Sequence, residues 1–398
     1  MARIIAHIDL NAFFAACEVL RDPTLKDKPL IIGHRGRGGI VSTCSYEARK
    51  YGIHSGMPTF QAEKLCRHLI VKEPDYSYYK VMSNSFFAIV KEYTLLVEVA
   101  SIDECFADFT EAMKGVKDPV SYFSKLQNDL YQRLGLSASI GVAPTKWLAK
   151  MASDMKKPMG LTFLRRRDLK KTLYPLPIES FWGIGKKTAP ELRKLGIATI
   201  GDFAKKAEEE DPALKACLGK FFYQTKDWVF GKGSDTLDLE PFDPKSIGNS
   251  STLDHDSSDY NEIKSVLESL CRSVSERAKK AHKVGSTITL TVKDTEGSFH
   301  LHSKARSFSP PTDDFFFLFE EAERLYKTFY EGKFMIRLVG VSLSRLENRA
   351  HTHRQMTIWE AIEEQEEDKT KELIAEMNRK FDKPILGRAS EAKKGNEP

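Results

Sequence analysis

Two short acidic segments, about ninety residues apart, hold the residues of this 398-residue chain best suited to chemistry. Asp9 follows the mostly apolar run 4–8, and Asp103 and Glu104 stand between apolar residues on both sides. Carboxylates at the ends of neighbouring strands can gather around hard cations such as Mg²⁺, an arrangement suited to phosphoryl or nucleotidyl transfer. The sequence therefore predicts a metal site built from Asp9, Asp103 and Glu104.

The simpler interpretation of Asp9 alone is a turn residue or a helix cap, which is the usual role of an aspartate at a strand end. Asp103 and Glu104 favour a different interpretation, because two adjacent charges interrupt what is otherwise the pattern of a buried hairpin. Burying unpaired charge costs roughly several kcal/mol, so such carboxylates need a cation or basic partners. A metal site accounts for both segments.

The hydrophobic pattern predicts the elements that position these residues. Strand and helix periodicities alternate over the first 166 residues, which is typical of one α/β unit. The predicted strands are 3–10, 29–33, 39–45, 97–109 and 137–142, and the predicted helices are 59–69, 76–95, 120–134 and 145–155. Residues 174–233 are predicted to be helical, and the polar, proline-containing stretch 235–244 to be a linker.

A second α/β module is predicted for residues 245–345. Its strand at 286–293 alternates apolar residues with threonines, as expected of a strand buried on one face. Four basic side chains share one face of the next strand, at 298–306, and these are His300, His302, Lys304 and Arg306. Facing outward they would suit a phosphate backbone; the alternative is an ordinary solvated sheet, because the module holds fifteen basic and fourteen acidic residues.

Composition narrows the class of protein without identifying it. A net charge of +5 permits a nucleic-acid partner but does not require one. The six cysteines include no Cys-x-x-Cys pair, so we expect reduced thiols in a cytoplasmic protein rather than a disulfide framework or a zinc site. The chain opens on a strand pattern and has no apolar run near eighteen residues, so neither a signal peptide nor a membrane span is expected.

Longer motifs resemble a known family. The segments DLNAFFAACE at 9–18 and SIDE at 101–104 resemble the two catalytic motifs of the Y-family, lesion-bypass DNA polymerases, most similar to the bacterial DNA polymerase IV type. Further segments that match this family in order and spacing are 39–53, 55–58, 139–154 and 156–161. The resemblance extends from about residue 4 to about residue 345.

The resemblance implies an α/β and α+β multidomain fold, that of a right-hand polymerase. Its parts would be a palm at 1–19 and 78–166, fingers at 20–77, a helical thumb at 167–233, a linker at 234–244, a little finger at 245–346 and a tail at 347–398. The implied activity is template-directed, low-fidelity DNA synthesis past damaged bases, without proofreading. Primer-template DNA and deoxynucleoside triphosphates would be bound by a monomer in the cytoplasm, in DNA repair and replication.

The resemblance also assigns the metal ligands. Asp9 and Asp103 would bridge two Mg²⁺ ions, and Glu104 would hold the ion at the primer hydroxyl. The carbonyl of Leu10 would complete the ion on the nucleotide side.

A triphosphate needs cations and hydrogen-bond donors of its own. Thr43, Tyr46 and Arg49 recur every three residues where a strand passes into a helix, close to a helix N-terminus that favours anions. The resemblance assigns them, together with Lys157, to the β- and γ-phosphates. Taken singly they would be a helix cap, a core aromatic and two solvated charges.

Two adjacent phenylalanines follow the first strand. Phe14 matches the family's steric gate, the bulky side chain that lies under the sugar and excludes a 2′-hydroxyl. Phe13, beside it, is grouped with the nucleotide-binding residues, although it is expected mainly in the core. An aromatic pair after a strand is usually packing, so the gate depends on the resemblance.

Two further motifs concern binding to DNA and to a protein partner. Gly183, Gly185, Lys186 and Lys187 resemble a helix-hairpin-helix, whose glycine turn meets a DNA phosphate; taken alone it could be only a tight turn. By similarity to the little finger, His300, Lys304 and Arg306 are also expected to bind DNA. The peptide formed by Gln355, Met356, Thr357, Ile358 and Trp359 resembles the bacterial sliding-clamp-binding motif; the alternative is that it packs on its own domain.

Three function classes compete on these observations. The first is a template-directed DNA polymerase. The second is a nucleotide cyclase-like enzyme, because a palm with two acidic segments can also cyclise a nucleotide. The third is a catalytically silent DNA-binding or scaffold protein, which the intact carboxylates disfavour.

Overall fold

The computed structural model describes residues 3–295 and 300–351 and divides between Phe242 and Asp243 into two compact units. The division falls inside the stretch that the sequence predicts as a linker. Within the two described ranges, no helix is both long enough and apolar enough to span a bilayer.

The first unit begins with alternating strands and helices. In chain order these are β1 (Ile5–Leu10), α1 (Phe13–Arg21), β2 (Leu30–Gly33), β3 (Val41–Cys44), α2 (Tyr46–Arg49), α3 (Thr59–Leu65), β4 (Ile70–Lys72), α4 (Tyr76–Lys91), β5 (Val97–Val99), β6 (Glu104–Asp108), α5 (Pro119–Leu134), β7 (Ala138–Ala143), α6 (Lys146–Asp154) and β8 (Leu161–Phe163). A helical part follows, with α7 (Leu169–Thr172), α8 (Thr188–Lys194), α9 (Ile200–Glu208), α10 (Pro212–Leu218) and α11 (Phe221–Val229).

The main sheet of this unit has the strand order β5-β6-β1-β7-β8. The central strand β1 is buried on both faces, because Ala6, Ile8 and Leu10 join one apolar core while Ile5 joins another. The first core contains residues of α1, α4 and α5; the second contains residues of α6 and of the helical part. The odd-numbered side chains of β1 therefore point toward α6, and Asp9 is among them.

A smaller sheet, in the order β3-β2-β4, lies over its own apolar cluster. Ser45 caps α2, since its hydroxyl accepts a hydrogen bond from the amide of Ala48. The cap ends β3 and starts the helix within a single residue. Thr43 at the end of the strand is thereby placed next to Tyr46 and Arg49 on the first turn.

The second unit is a four-stranded antiparallel sheet in the order β11-β10-β12-β9, packed against two helices. Its elements are β9 (Ser246–Ser257), α12 (Tyr260–Lys280), β10 (Lys283–Asp294), β11 (Leu301–Thr312), α13 (Phe315–Phe329) and β12 (Ile336–Asn348). The predicted alternation of β10 is confirmed, because Ile288, Leu290 and Val292 are all fully buried in the core shared with the helices.

Several element predictions need correction. The predicted strand 97–109 is a hairpin of β5 and β6, as the two interrupting charges suggested. The helices predicted at 59–69 and 76–95 end earlier, at Leu65 and Lys91. The nine-residue α1 and the three-residue strands β4 and β8 were not predicted. Three-residue strands are too short to show a periodicity of their own.

Candidate active site

Pairing of β1 with β6 puts Asp9 directly opposite Glu104. Asp103 precedes Glu104 in the turn from β5, and its carbonyl oxygen accepts a hydrogen bond of 3.0 Å from the amide of Leu10. In an antiparallel pair, the end of one strand and the start of the other lie at the same rim. The three carboxylates therefore share a rim, although Glu104 opens its strand rather than ending it, contrary to the prediction.

The two residues between β1 and α1 are held tightly. Asn11 is buried; its side-chain amide donates to Ser139 Oγ at 2.9 Å, and its Oδ1 accepts from the amide of Met159 at 2.8 Å. Ala12 adopts the left-handed conformation, with φ 46° and ψ 46°, which is uncommon for a residue with a side chain. This sharp turn starts α1 at once and places Phe14 beside the carboxylate rim.

Two lysine ammonium groups lie among the carboxylates. Lys150 Nζ is 2.7 Å from Glu104 Oε2 and 3.3 Å from Asp9 Oδ2. Lys157 Nζ is 2.8 Å from Asp9 Oδ2 and 2.7 Å from Asp154 Oδ1. Burial alone would lower the pKa of Lys157, but the charges of Asp9 and Asp154 outweigh it and raise that pKa. Both negative charges of the β1–β6 pair are thus compensated by the protein itself.

Lys150 was missed by the sequence analysis, whereas Lys157 was predicted. The spacing of Lys150, Asp154 and Lys157, four and then three positions apart, is that of one helix face. That spacing is the signal that could have identified Lys150.

A histidine lies behind the carboxylates. His7 is 0 % exposed, and its ring packs against Phe106 with centroids 4.7 Å apart. Its Nδ1 is 2.8 Å from Ser153 Oγ and its Nε2 is 3.3 Å from Glu104 Oε2. Burial lowers the pKa of His7, so the ring is neutral at pH 7. No role for His7 was predicted from the sequence.

The donor set fits a divalent cation. Ligand atoms of His7, Asp9 and Glu104 all lie within 4.8 Å of one another. The carboxylate of Asp103 is turned to Ser101, whose hydroxyl donates to Oδ1 at 2.6 Å. Burial, reinforced by the charges of Asp9 and Glu104, raises the pKa of Asp103. A cation among these oxygens would relieve that repulsion, and carboxylate oxygens are the ligands that Mg²⁺ and Mn²⁺ prefer.

A cleft of about 300 Å³ opens beside the carboxylates. Its lining joins the two sheets of the first unit and comprises Asp9, Leu10, Ala12, Phe13, Phe14, Ser42, Thr43, Arg49, Ser55, Ile102, Asp103 and Lys157. The structure therefore brings Thr43, Arg49 and Lys157 to one cleft with Asp9 and Asp103. Tyr46 lies beneath Arg49, whose guanidinium carbon is 4.6 Å from the ring centroid.

The two phenylalanines occupy different surroundings. Phe13 is only 2 % exposed and belongs to the apolar core. Phe14 is half-buried at the cleft, where its ring stacks on Tyr79 with centroids 4.5 Å apart and planes 15° apart. Tyr79 is itself fixed, because its hydroxyl donates to the buried Glu18 at 2.8 Å. Phe14 therefore presents one side of its ring to the cleft while Tyr79 packs against the other.

The glycine turn before α8 contains two unlike glycines. Gly183 has φ +106°, and a Cβ there would lie 3.1 Å from Phe221 and Trp228, so only glycine fits. A Cβ on Gly185 would meet nothing within 4 Å. Lys186 and Lys187 are exposed just before α8. Gly185 and these lysines leave space that a phosphate backbone could enter.

The basic residues of β11 lie on the side of the sheet that the helices cover. The DNA-binding prediction required them on the open side. Each pairs with an apolar residue of β10: Arg306 with Ile288, Lys304 with Leu290 and His302 with Val292. Paired residues of an antiparallel ladder point to the same face, and this is the face covered by α12 and α13. The pairing therefore puts these side chains on the helix side of the sheet, where Lys304 and Arg306 are exposed at the edge strand, and their binding to DNA stays a prediction.

Contacts of the same residues agree with that placement. Arg306 Nη1 lies 2.9 Å from Oε2 of the buried Glu321 on α13, and Lys304 Nζ lies 4.9 Å from the ring centroid of Phe329. His300 precedes β11, and its amide donates to Asp294 Oδ1 at 2.9 Å. These three residues therefore contact β10 and α13 of their own unit.

The opposite side of this sheet is rich in hydroxyl groups, and Lys293 lies on the same side near the end of β10. We call it the hydroxyl face; it comprises Ser246, Gly248, Ser250, Thr287, Thr289, Thr291, Ser303, Ala305, Ser307, Gly340, Ser342 and Ser344. Hydroxyls pair across strands, as Thr291 and Ser303 do at 2.9 Å. The sequence analysis noted the threonines of β10 but not the rows of serine that flank them.

The predicted clamp-binding residues 355–359 lie outside the described residues, as does most of the tail.

Models of known protein families match most of this chain. Residues 8–154 match the model of the impB/mucB/samB family, and residues 244–358 match that of the family's C-terminal domain. Residues 166–197 match the HHH motif of the IMS family. The last match covers the glycine turn and α8.

Proteins similar over most of this chain support the same family. The chain is 37 % identical over 395 residues to the DNA polymerase IV of Bacillus velezensis, covering 98 % of this chain and 94 % of the relative. A solved chimera of the Y-family DNA polymerases Dbh and Dpo4 is similar with a TM-score of 0.76 and 27 % identity, over 87 % of this chain and 99 % of that one. An insertion ternary complex of Dbh DNA polymerase is similar over the same shares with a TM-score of 0.59 and 27 % identity.

Proposed function

Because the chain belongs to the impB/mucB/samB family, that of the Y-family DNA polymerases, we propose that it is a DNA-directed DNA polymerase that copies damaged templates. Its substrates are primer-template DNA and deoxynucleoside triphosphates. The product is a primer longer by one nucleotide and pyrophosphate.

The observation that carries this proposal is the composition of the cleft. The lining of the cleft includes carboxylates (Asp9 and Asp103), cations (Arg49 and Lys157) and the ring of Phe14. Nucleotide addition needs that arrangement, because a hydroxyl must attack an α-phosphate in line while a highly charged pyrophosphate leaves.

Asp9, Asp103, Glu104 and the carbonyl of Leu10 would hold two Mg²⁺ ions, which supply activation of the attacking hydroxyl and charge stabilisation at the leaving phosphate. The chain's own part is to hold the carboxylates at one rim through the β1–β6 pairing.

Cations of the cleft would bind the rest of the triphosphate. Arg49 and Lys157 offer charge to the β- and γ-phosphates, and Thr43 offers a hydroxyl. Tyr46 holds the Arg49 guanidinium by the ring contact described above. Charge-assisted hydrogen bonds of this kind are about twice as strong as neutral ones, so they suit a substrate that must be oriented.

The family matches also support a division of labour along the chain. We propose a palm at 1–19 and 78–166, fingers at 20–77, a thumb at 167–233 and a little finger at 245–346. The family matches extend over most of residues 8–358, which leaves no span in that range for a proofreading exonuclease. We propose a monomer, since one chain supplies all the carboxylates and the cleft, acting in the cytoplasm where a bacterial template resides.

Primer extension tests the proposal. A labelled primer on an undamaged template, and on the same template with one abasic site, would be incubated with Mg²⁺ and the four dNTPs. We expect extension on both, with insertion opposite the abasic site. A cyclic nucleotide formed from a free triphosphate without DNA would instead identify a cyclase. DNA binding with neither product would identify a silent binding protein.

Changing Lys186 and Lys187 to Glu is expected to weaken primer-template binding equally across sequences. Each phosphate contact contributes a slope of about 0.9 to the dependence of log affinity on log salt, so losing two lowers the slope by about 2. Fluorescence anisotropy over a salt series measures both quantities.

The matched control for charge is the pair Lys170 and Lys171, also adjacent and exposed in the same helical part. Their change to Glu alters the net charge equally but leaves the glycine turn intact. An unaltered slope in the Lys186 and Lys187 variant, or a new sequence preference, would contradict the phosphate assignment.

We propose that the hydroxyl face, rather than the basic residues of β11, meets DNA in the second unit. Hydroxyls and backbone amides bind phosphates and sugars without regard to sequence. Changing Thr289 or Ser342 to Glu is expected to weaken DNA binding by roughly tenfold or more, because a like charge would face the phosphates. The control Ser265→Glu places the same charge on α12, and Lys304→Ala is expected to have little effect. Loss of binding in Lys304→Ala with none in Thr289→Glu would refute the assignment.

We propose that residues 355–359 dock the chain on a sliding clamp. The support is their agreement with the bacterial clamp-binding peptide, with glutamine first and an apolar or aromatic end. Large apolar side chains of this kind anchor interfaces.

Changing Met356, Ile358 and Trp359 to Ala is expected to abolish stimulation of primer extension by clamp while unassisted extension and the melting temperature stay normal. The control removes three apolar side chains further along the tail, at Ile374, Met377 and Phe381. A lower melting temperature with clamp stimulation preserved would show that the peptide packs on its own domain.

A further inference from the structure

His7 has no part in the chemistry described so far, yet it contacts a predicted metal ligand. It lies two residues before Asp9 on the same face of β1 and is 0 % exposed. Ser153 Oγ is 2.8 Å from Nδ1, and Glu104 Oε2 is 3.3 Å from Nε2. The ring therefore spans from α6 to the strand that carries Glu104.

We propose that His7 is a positioning residue for Glu104, donating a hydrogen bond from Nε2 to the carboxylate that would hold the primer-side cation. The proposal rests on the proposed function of this site. Beside a carboxylate an imidazole proton belongs on Nε2, because a lone pair there would face a negative oxygen. When Nδ1 carries no proton it accepts from the Ser153 hydroxyl, whose proton then turns to the ring from the Lys150 carbonyl 2.9 Å away.

The contact between His7 Nε2 and Glu104 Oε2 is long for a hydrogen bond. Within the described part of the chain, Nε2 makes no well-aligned hydrogen bond. A fully buried donor needs an acceptor, and Glu104 is the carboxylate within reach.

His7 and Lys150 reach the same oxygen of Glu104, Oε2. A cation can therefore bind through Oε1 without displacing either donor. By holding Oε2, the two donors together fix the direction in which Oε1 points. A long glutamate side chain would not keep that direction without them. Groups behind a metal ligand orient it in this way, and changing them commonly costs 10-fold to 100-fold in metal affinity or activity.

The competing hypothesis is that His7 is itself a ligand, because its ring nitrogen belongs to the group of atoms within 4.8 Å. Ligation needs the proton on Nδ1 and a lone pair on Nε2. A nitrogen ligand would shift preference from Mg²⁺ toward transition metals such as Mn²⁺. The two hypotheses therefore differ in metal preference.

Three substitutions separate these roles. In His7→Gln the amide nitrogen takes about the place of Nε2 and can still donate to Glu104. In His7→Asn the amide takes the place of Nδ1, so it reaches Ser153 and not Glu104. His7→Phe keeps the ring and its packing on Phe106 without any donor. Thermal melting of all three shows whether each is folded.

Two readouts are needed. The first is Mn²⁺ binding, followed by electron paramagnetic resonance in a complex with a dideoxy-terminated primer and dNTP, where no chemistry occurs. The second is the Mg²⁺ concentration that gives half-maximal primer extension. We expect His7→Asn and His7→Phe to weaken Mn²⁺ binding and raise the Mg²⁺ requirement by roughly 10-fold each, while His7→Gln stays within about threefold of the unaltered protein.

Equal impairment of His7→Gln and His7→Asn would overturn the proposal, as would unchanged metal binding in folded His7→Phe. A His7→Gln variant that loses Mn²⁺ binding but keeps its Mg²⁺ requirement would overturn it in favour of ligation. An unaltered protein that binds Mn²⁺ but extends no primer would refute the proposed function, and the binding comparison among the variants would still decide the role of His7.

Discussion

Replacing Asp103 or Glu104 with Ala is expected to abolish nucleotide incorporation and to leave primer-template binding nearly unchanged. These carboxylates share the rim formed by β1 and β6, whereas the proposed DNA contacts lie at the glycine turn and the hydroxyl face. Charge stabilisation by bound metal ions is worth several kcal/mol and about 1.4 kcal/mol corresponds to tenfold, so the rate is expected to fall by roughly 1,000-fold or more. Single-turnover incorporation measures the rate, and anisotropy with a dideoxy-terminated primer measures binding.

A matched carboxylate control is Glu111→Ala. Its side chain is 74 % exposed after β6, where it forms an ion pair with Lys114. Its removal is expected to change neither quantity. Incorporation by the Asp103→Ala, Glu104→Ala double variant at the rate of the unaltered protein would refute the carboxylate site.

Replacing Phe14 with Ala is expected to admit ribonucleotides while most dNTP use is retained. The ring lines the cleft and is supported from behind by Tyr79, so it can press against a sugar without yielding. Removing it opens room for a 2′-hydroxyl, and the preference for dNTP over rNTP is expected to fall by about 100-fold or more. The measurement is kcat/KM for one dNTP and its ribonucleotide on the same template.

The neighbouring Phe13 is the natural control, because it is an aromatic of the same size that lies in the core. Phe13→Leu is expected to lower the melting temperature by a few degrees, since it removes packing from a fully formed core. Sugar preference is expected to remain unaltered. If Phe13→Leu relaxed sugar preference and Phe14→Ala did not, the gate would have been assigned to the wrong ring.

Much of the site was predictable from the sequence. The family motifs gave the right-hand polymerase fold class, which the matches with Y-family structures confirm. The apolar residues on either side of Asp103 and Glu104 predicted the hairpin of β5 and β6, and the antiparallel pairing of β1 with β6 puts Glu104 opposite Asp9. The hairpin was predictable from a local pattern because its two strands are close together in the chain, whereas the pairing of β1 with β6 joins distant segments and followed from the family motifs.

The direction of the basic residues on β11 was not predictable in the same way. Neither set of alternate residues in this edge strand is apolar: Ser303, Ala305 and Ser307 stand on one side, and Lys304 and Arg306 on the other. The strand's own pattern therefore cannot say which side faces the core. That is decided by its register with β10, a non-local pairing in which a shift of one residue would reverse every side chain.

The roles of Lys150 and His7 were hidden for a related reason. Both act on Glu104, which is far from them in sequence, and Lys150 looks like an ordinary charge on a helix. The packing of α6 over β1 brings Lys150 to the carboxylate, and the pairing of β1 with β6 brings His7 there.

The ammonium group of Lys157 has a thermodynamic consequence. It lies 2.8 Å from Asp9 and 2.7 Å from Asp154. A divalent cation that takes over the Asp9 carboxylate therefore leaves the lysine with Asp154 alone, and a triphosphate in the same cleft can replace the lost anion. Cation and nucleotide would then each strengthen the binding of the other. Linkage makes that effect reciprocal: whatever factor the cation contributes to nucleotide affinity, the nucleotide must contribute to cation affinity.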